Sequence, residues 1–376
     1  MLLDVFRELF PVLAILYLLE GVAWVGARNL LFVRWPWGWR VAEGRGFRPA
    51  GFLPFDFAVS AAGPVVLATA DALLLPEPEA RGGSLYDPER WVRVGYDQAS
   101  VEIEEGTVRL GDPQRPHKIR FPSRPHAEEF TELLAEIRRL APEARGRRLA
   151  KHRARAFDFS LAEKRLDALR ERTELVRILG WGLFVFLLLL LPAVLYLHPR
   201  PDLLLLPQLL GILLLYGAVL AAMAHAGRGL HRDGALRRRP SILPVVFSPV
   251  AATRAVAVLA RDLFPGFDPL LLAALLLRKE TFLERARAEL HGAGFAAARG
   301  DEGWKRHWAE RRKAVLRLLD RFEISEADAL APPVRQDPAA EAWCPVCGTE
   351  YRAKDESASG ACDDCGVPLL GFPNPS

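Results

Sequence analysis

The longest apolar pattern in the chain lies between residues 178 and 224. It consists of two runs, 178–197 and 203–224, which contain no charged side chain and are about 20 and 22 residues long. A helix rises about 1.5 Å per residue, so each run can cross a hydrocarbon core about 30 Å thick. Residues 198–202, between the runs, read HPRPD, which is typical of a tight polar turn. The pattern therefore predicts a transmembrane helical hairpin.

A third apolar run, residues 9–27, predicts another transmembrane helix near the amino terminus. The run is long for the apolar core of a signal peptide, and the acidic Asp4 and Glu8 lie beside it. Glu20 falls near its middle. Because a carboxylate in hydrocarbon is costly, Glu20 is a candidate functional residue. The alternatives are that Glu20 hydrogen-bonds to the other two predicted membrane helices, or that its helix lies shallowly in the membrane.

Residues 45–141 alternate short apolar-polar patterns with turn residues, and then change to a helical pattern. Residues 100–104 (SVEIE) and 107–110 (TVRL) have the period of two that indicates strands of an antiparallel sheet. The lines WVRVGYDQASVEIEEGTVRLG and IRFPSRPHAEEFTELLAEI resemble a pleckstrin-homology-like (PH-like) domain, a small β-barrel closed by a carboxyl-terminal helix. The resemblance implies a module that binds phosphoinositides or peptides, or that packs as a scaffold. A structural domain without a ligand is the alternative.

Residues 143–176 are heavily charged and predict a solvated helix that leads into the second membrane segment. The first half is the strongest basic cluster in the chain. A basic cluster next to a membrane helix favours contact with anionic headgroups, at about 1 kcal/mol per residue, over nucleic acid. With the basic residues that follow the apolar run 203–224, the predicted lipid contacts are Arg145, Arg147, Arg148, Lys151, Arg237, Arg238 and Arg239.

Residues 241–330 predict a small helical domain. Ser248-Pro249 and Asp268-Pro269 each place a capping side chain before a proline, and Asp301 precedes a stripe of apolar residues at helical spacing. The apolar residues 270–277 are too few to span a membrane, so we expect a buried or interfacial helix there.

Four cysteines near the carboxyl end form the most specific motif. Cys344, Cys347, Cys362 and Cys365 make two Cys-x2-Cys pairs separated by fourteen residues. Four thiolates at this spacing can surround one Zn²⁺ in a tetrahedron, and such a closed site is structural. Residues 343–372 resemble a zinc ribbon. A redox dithiol is the alternative.

Composition and charge set the expected location. The 376 residues carry 50 basic and 46 acidic side chains, and a net charge of +4 does not favour nucleic acid as a partner. Basic residues concentrate in 28–176 and 225–376, so the positive-inside rule predicts that both segments face the cytoplasm and that the amino terminus faces outward. The Arg- and Ala-rich composition indicates a bacterial chain, and hence the cytoplasmic membrane. No cysteine lies outside the last 33 residues, so no disulfide framework is expected.

The predicted fold class is a multi-domain α+β membrane protein. Its parts are an amino-terminal transmembrane helix, a PH-like β domain, a charged linker helix, a transmembrane hairpin, a helical domain and a zinc ribbon. We find no phosphate-binding glycine loop, HExxH or GxSxG motif, and so predict no catalytic residue. The favoured function is a membrane-anchored scaffold or regulatory protein that binds a protein partner near the bilayer. The alternatives are a membrane enzyme acting on lipid or envelope substrates, and a non-catalytic subunit of a larger membrane complex.

Overall fold

The structure, a computed structural model, combines helices with several small antiparallel sheets. It describes residues 5, 7–12, 14, 15, 17, 30–34, 56–60, 66–77, 85–97, 100–104, 107–111, 117–121, 124–237, 239–260, 262–277, 279–352 and 360–373. These residues divide into two compact units. Unit 1 comprises Met1–Ala62, Phe159–Pro265 and Leu275–Leu277, and unit 2 comprises Gly63–Asp158, Gly266–Ala274 and Arg278–Ser376.

Strands and helices are each numbered in chain order. The strands are β1 (Leu30–Arg34), β2 (Asp56–Ser60), β3 (Leu67–Ala68), β4 (Ala72–Pro76), β5 (Trp91–Gly95), β6 (Ser100–Glu104), β7 (Thr107–Gly111), β8 (His117–Arg120), β9 (Ala340–Trp343), β10 (Glu350–Arg352) and β11 (Leu370–Gly371). The helices are α1 (Arg124–Arg138), α2 (Pro142–Ala156), α3 (Phe159–Phe184), α4 (Pro201–Arg232), α5 (Leu243–Val246), α6 (Pro249–Ala252), α7 (Ala255–Ala260), α8 (Pro269–Leu276), α9 (Lys279–Ala297), α10 (Glu302–Arg321) and α11 (Glu326–Leu330).

Unit 2 contains two three-stranded antiparallel sheets that share a core with α1. The strand orders are β3-β4-β5 and β6-β7-β8. The chain turns between β3 and β4, where the Thr69 side chain bonds to both backbone groups of Ala72. Apolar side chains from both sheets meet α1 at Leu134 and Ile137.

Strand β4 is buried on both faces. Leu73 and Leu75 join the core that contains α1, whereas Leu74 joins a second core with Trp304 and Trp308 of α10. Successive side chains of a strand point to opposite faces, so an uninterrupted apolar sequence is what such a strand requires. The sheet therefore packs between α1 on one side and α9 and α10 on the other.

Unit 1 contains the two apolar helices. The segments Phe159–Leu197, of 39 residues, and Leu203–Arg232, of 30 residues, are long and apolar enough to cross a membrane. The first continues α3 through two π-helical stretches, Val185–Leu190 and Ala193–Leu197, which flank Pro192. The buried Gln208 of α4 donates from Nε2 to the carbonyl of Phe186 at 2.7 Å, and so satisfies a backbone group in this irregular stretch.

Several sequence predictions can be compared with these elements. The predicted hairpin runs 178–197 and 203–224 lie in helices that are apolar enough to span. The predicted linker helix 143–176 is two helices, α2 and α3, because the chain leaves the helical conformation at Phe157. Residues 18–29, with Glu20, lie outside the described residues, although positions 5 to 17 that are described are helical.

Candidate metal centre

The four cysteines lie on a small three-stranded sheet in which β9 pairs with both β10 and β11. The two Cys-x2-Cys turns are built alike. In the first, the Cys344 N–H donates to the Thr349 carbonyl at 2.8 Å and the Gly348 N–H donates to the Cys344 carbonyl at 2.9 Å. In the second, Cys362 and Gly366 make the equivalent bonds at 2.9 and 2.7 Å.

Glycine is required at the end of each turn by the backbone conformation. Gly348 has φ +77° and Gly366 has φ +66°, in the left-handed region that a side chain disfavours. These two residues let each loop close tightly enough to bring its cysteines to one side. As a result the Sγ atoms of Cys344, Cys347, Cys362 and Cys365 lie within 4.8 Å of one another, which suggests a metal site.

The contacts within this cluster shift the pKa values of its thiols in opposite directions. A hydrogen bond from Cys365, with further bonds from backbone N–H groups, lowers the pKa of Cys344 to about 5. The same contact with Cys344 raises the pKa of Cys365, and burial raises the pKa of Cys347. A bound metal ion deprotonates its thiol ligands, so with a cation in place all four cysteines would be thiolates.

Two further side chains contact the sulfur atoms, and the sequence analysis missed both. The Tyr351 hydroxyl donates to Cys362 Sγ at 3.2 Å and accepts from the Asp363 N–H at 3.3 Å. Thr349 Oγ1 lies 3.0 Å from Cys347 Sγ. Neither residue is marked by the cysteine spacing, and only the pairing of β10 with β9 brings Tyr351 to the cluster.

One face of the cysteine-bearing sheet packs against helix α9 of the same unit. Phe295 of α9 joins the cluster formed by the cysteines and Tyr351. The ring of Trp343 meets His291 edge-on at 6.1 Å, and Arg287 lies 5.9 Å from the same ring. Asp363 and Asp364, at the tip of the second turn, are exposed. The cysteine-bearing sheet therefore has a covered apolar face and an exposed acidic edge.

The predicted lipid contacts differ in their availability. Arg145 donates to the carbonyls of Ile137 and Ala70 and lies over the Tyr96 ring, and Arg148 pairs with Glu136 at 2.6 Å. The remaining described members of the set are exposed: Arg147, Lys151, Arg237 and Arg239. Arg238 lies outside the described residues. Lipid contact by this set stays a prediction.

A charged cluster around Arg311 in unit 2 is a second group that the sequence did not reveal. Arg311 bonds to Asp268 at 2.7 Å and to Glu289, and Glu289 also accepts from the Tyr86 hydroxyl at 3.3 Å. Asp268 caps α8 through a bond from the Leu270 N–H at 2.9 Å. Since Arg311 neutralises both carboxylates, the cluster joins α8, α9 and α10 and offers neither acid as a free catalytic base.

No known family model, no curated protein and no solved structure matches this chain.

Proposed function

We propose that this chain is a membrane-anchored scaffold or regulatory protein whose metal-organised ribbon docks a protein partner near the bilayer. The observation that carries the proposal is the four-cysteine cluster, built on a sheet with one covered face and one exposed edge, in a chain with two long apolar helices. A rigid fold that holds an exposed edge in a fixed position is suited to binding a partner protein.

The metal in this proposal is Zn²⁺ in a structural role. A tetrahedral site with Zn–S bonds of about 2.3 Å has sulfur atoms about 3.8 Å apart. Cys347 Sγ and Cys362 Sγ lie 3.6 Å apart, close to that separation. Four protein thiolates leave no open position for substrate, so zinc would stabilise the fold of the ribbon and would not take part in a reaction.

The membrane location is supported by the surface of the two apolar helices. Only 28% and 17% of their most apolar windows are buried within the chain. A core helix of a water-soluble protein would be mostly covered, whereas lipid would cover these side chains. In this proposal the membrane is the bacterial cytoplasmic membrane, with the amino terminus outside and unit 2 in the cytoplasm. The exposed Arg147, Lys151, Arg237 and Arg239 would contact its anionic headgroups.

The modules in unit 2 suit a docking role. The two sheets and α1 share one apolar core, as the resemblance to a PH-like domain requires, and we propose that this module is a scaffold. The exposed Asp363 and Asp364 repel nucleic acid phosphates and favour a partner with basic residues.

The proposal is tested on the full chain purified in detergent from membranes of its host. We expect one zinc per chain by elemental analysis and co-purification of a protein partner. Cys362→Ser should lose both the metal and the partner. The double substitution Asp363→Asn with Asp364→Asn should keep the metal and lose the partner, which separates folding of the ribbon from docking. Recovery of the same partners by all variants would refute the docking role, and zinc with no partner would favour the enzyme alternative.

A further inference from the structure

The chain that follows α4 turns back along the same helix. After the turn at Gly234, Pro240 packs against Gly227, where a Cβ would lie 2.7 Å from the Pro240 ring. The Tyr216 hydroxyl then donates to the carbonyl of Val245 at 2.9 Å and to that of Val246. Tyr216 precedes Gly227 by eleven residues, or about 16 Å of helix. The segment therefore runs back beside α4 for about three turns.

The segment then reverses at Phe247 and Ser248 and returns. Ser248 caps α6 by accepting from the Ala251 N–H at 3.1 Å. In the returning arm, Leu259 lies 3.6 Å from the Cβ position of Gly227, the residue that also meets Pro240. Both arms thus pass Gly227, and the tip lies beyond it. Residues 240–260 form a helical hairpin whose tip lies beside the middle of α4.

The depth of the tip follows from the apolar run of α4. If the hydrocarbon core covers the uncharged residues 203–224, Tyr216 lies eight residues inside its inner limit, or about 12 Å. The returning arm supports the same placement on α3, because the Thr253 carbonyl lies 3.1 Å from the Cβ position of Gly180, two residues inside the start of the apolar run at 178. The hairpin therefore enters the layer that the two spanning helices define.

The backbone and side chains of the hairpin meet the requirements of that layer. Irregular backbone at membrane depth is tolerated where its polar groups are bonded within the protein. Tyr216 bonds to the two carbonyls before the tip, and Thr253 Oγ1 donates to the Val250 carbonyl at 2.7 Å. The charged Arg254 is 3% exposed, with its guanidinium 3.9 Å from the Tyr17 ring centroid, so protein covers it.

Apolar side chains project from the tip. Leu243 is 60% exposed and Phe247 is 81% exposed. On α4 itself, Leu214 is 73% exposed. The tip of the hairpin therefore presents apolar side chains that the described part of the protein leaves largely uncovered. Exposing such a surface to water is unfavourable in free energy, whereas contact with lipid acyl chains carries no such cost.

We propose that residues 240–260 are a re-entrant membrane segment, with Leu243 and Phe247 in contact with lipid acyl chains. The inference rests on the proposed function in so far as α3 and α4 span the bilayer. It moves the first part of the predicted cytoplasmic domain 241–330 into the membrane, and it adds a helical hairpin to the two spanning helices of unit 1.

The experiment uses photo-crosslinking from the full chain in vesicles of phosphatidylethanolamine and phosphatidylglycerol. Benzoylphenylalanine is placed, one position at a time, at Phe247, at Leu243, at Leu214 within α4 and at Val334 in unit 2, which is 89% exposed. After irradiation, mass spectrometry identifies the adducts. We expect acyl-chain adducts at 247 and 243 in yields comparable to that at 214, and none at 334.

The control positions separate the two proposals. Acyl adducts at 214, with none at 247 and 243, would leave the spanning helices in place and overturn the re-entrant segment. Adducts at 247 only to headgroups, or to another protein chain, would overturn it as well. Failure of position 214 to label lipid would refute the membrane location itself.

Discussion

The ring of Tyr86 occupies the space beside Gly292 of α9, where a Cβ would overlap the ring atoms. Gly292 is buried, and its lack of a side chain lets Tyr86 reach Glu289. We predict that Gly292→Ala lowers the free energy of unfolding of unit 2 by about 2 kcal/mol, because overpacking forces the ring or the helix to move.

Gly294 on the same helix gives the matched control. It is exposed and has no atom within 4 Å of its Cβ position, so Gly294→Ala should stabilise α9 by up to about 1 kcal/mol through helix propensity. Hydrogen exchange of α9 peptides measures both effects. Equal effects at the two positions would contradict the packing of Tyr86 on Gly292.

Arg311 is predicted to be essential for the junction of α8, α9 and α10. Arg311→Met removes the positive charge between Asp268 and Glu289, so two largely buried carboxylates lose their partner. We expect the free energy of unfolding to fall by about 3 kcal/mol. The neighbouring Arg312 pairs with Glu326 at the surface, so Arg312→Met should cost less than about 1 kcal/mol. Denaturant unfolding of the detergent-solubilised chain compares the two. Similar losses would show that the cluster is not coupled as described.

The Tyr351 hydroxyl is predicted to tune metal binding. Tyr351→Phe keeps the ring in the apolar cluster but removes the donor to Cys362 Sγ. Loss of such an outer contact typically weakens metal affinity about 10- to 100-fold. Competition with a zinc chelator gives the affinity. Tyr196→Phe, which removes a hydroxyl bonded to the Arg7 carbonyl in unit 1, should leave the affinity unchanged.

Unit 2 is predicted to lose stability in mild acid through His307. Burial, with the nearby Arg153 and Arg311, lowers the pKa of His307 to about 3, well below its ordinary value of 6.5. Arg153 donates to Nδ1 of the neutral ring at 3.4 Å, so protonation of this nitrogen would break the bond. As the pH falls, His307 is therefore protonated in the unfolded chain before it is protonated in the folded chain. The contribution is fully present well above pH 6.5, and about 3 kcal/mol of it is lost by pH 4.5.

The variant His307→Gln should flatten that pH dependence. Hydrogen exchange of α10 peptides, measured from pH 7 downward, is the readout, and the exposed His225→Gln is the control. An unchanged acid profile in His307→Gln would mean that His307 is solvated and titrates normally.

Local chemistry made part of this structure predictable. Ser248, Asp268 and Asp301 cap helices as their positions before apolar repeats indicated, and Ser325 caps α11 in the same way. The cysteine spacing predicted a cluster that the structure brings together. Each of these signals depends on contacts within a few residues, which a sequence displays directly.

Contacts between distant residues were not predictable in the same way. Strand β4 has an apolar sequence, but that sequence does not say that Leu73 and Leu74 enter different cores. Nothing near Arg311 in the chain names Asp268 or Glu289 as its partners. Tyr351 is an ordinary aromatic residue until strand pairing places its hydroxyl on Cys362.

The sequence by itself determined the two long apolar helices, the helix caps and the four-cysteine motif, because periodicity, capping and ligand spacing are local properties. Only the tertiary structure decided that β4 is covered on both faces and that the chain after α4 turns back to Tyr216. An apolar side chain gains similar free energy from any apolar neighbour. The sequence therefore indicates that the side chain is buried but does not identify the residues that cover it.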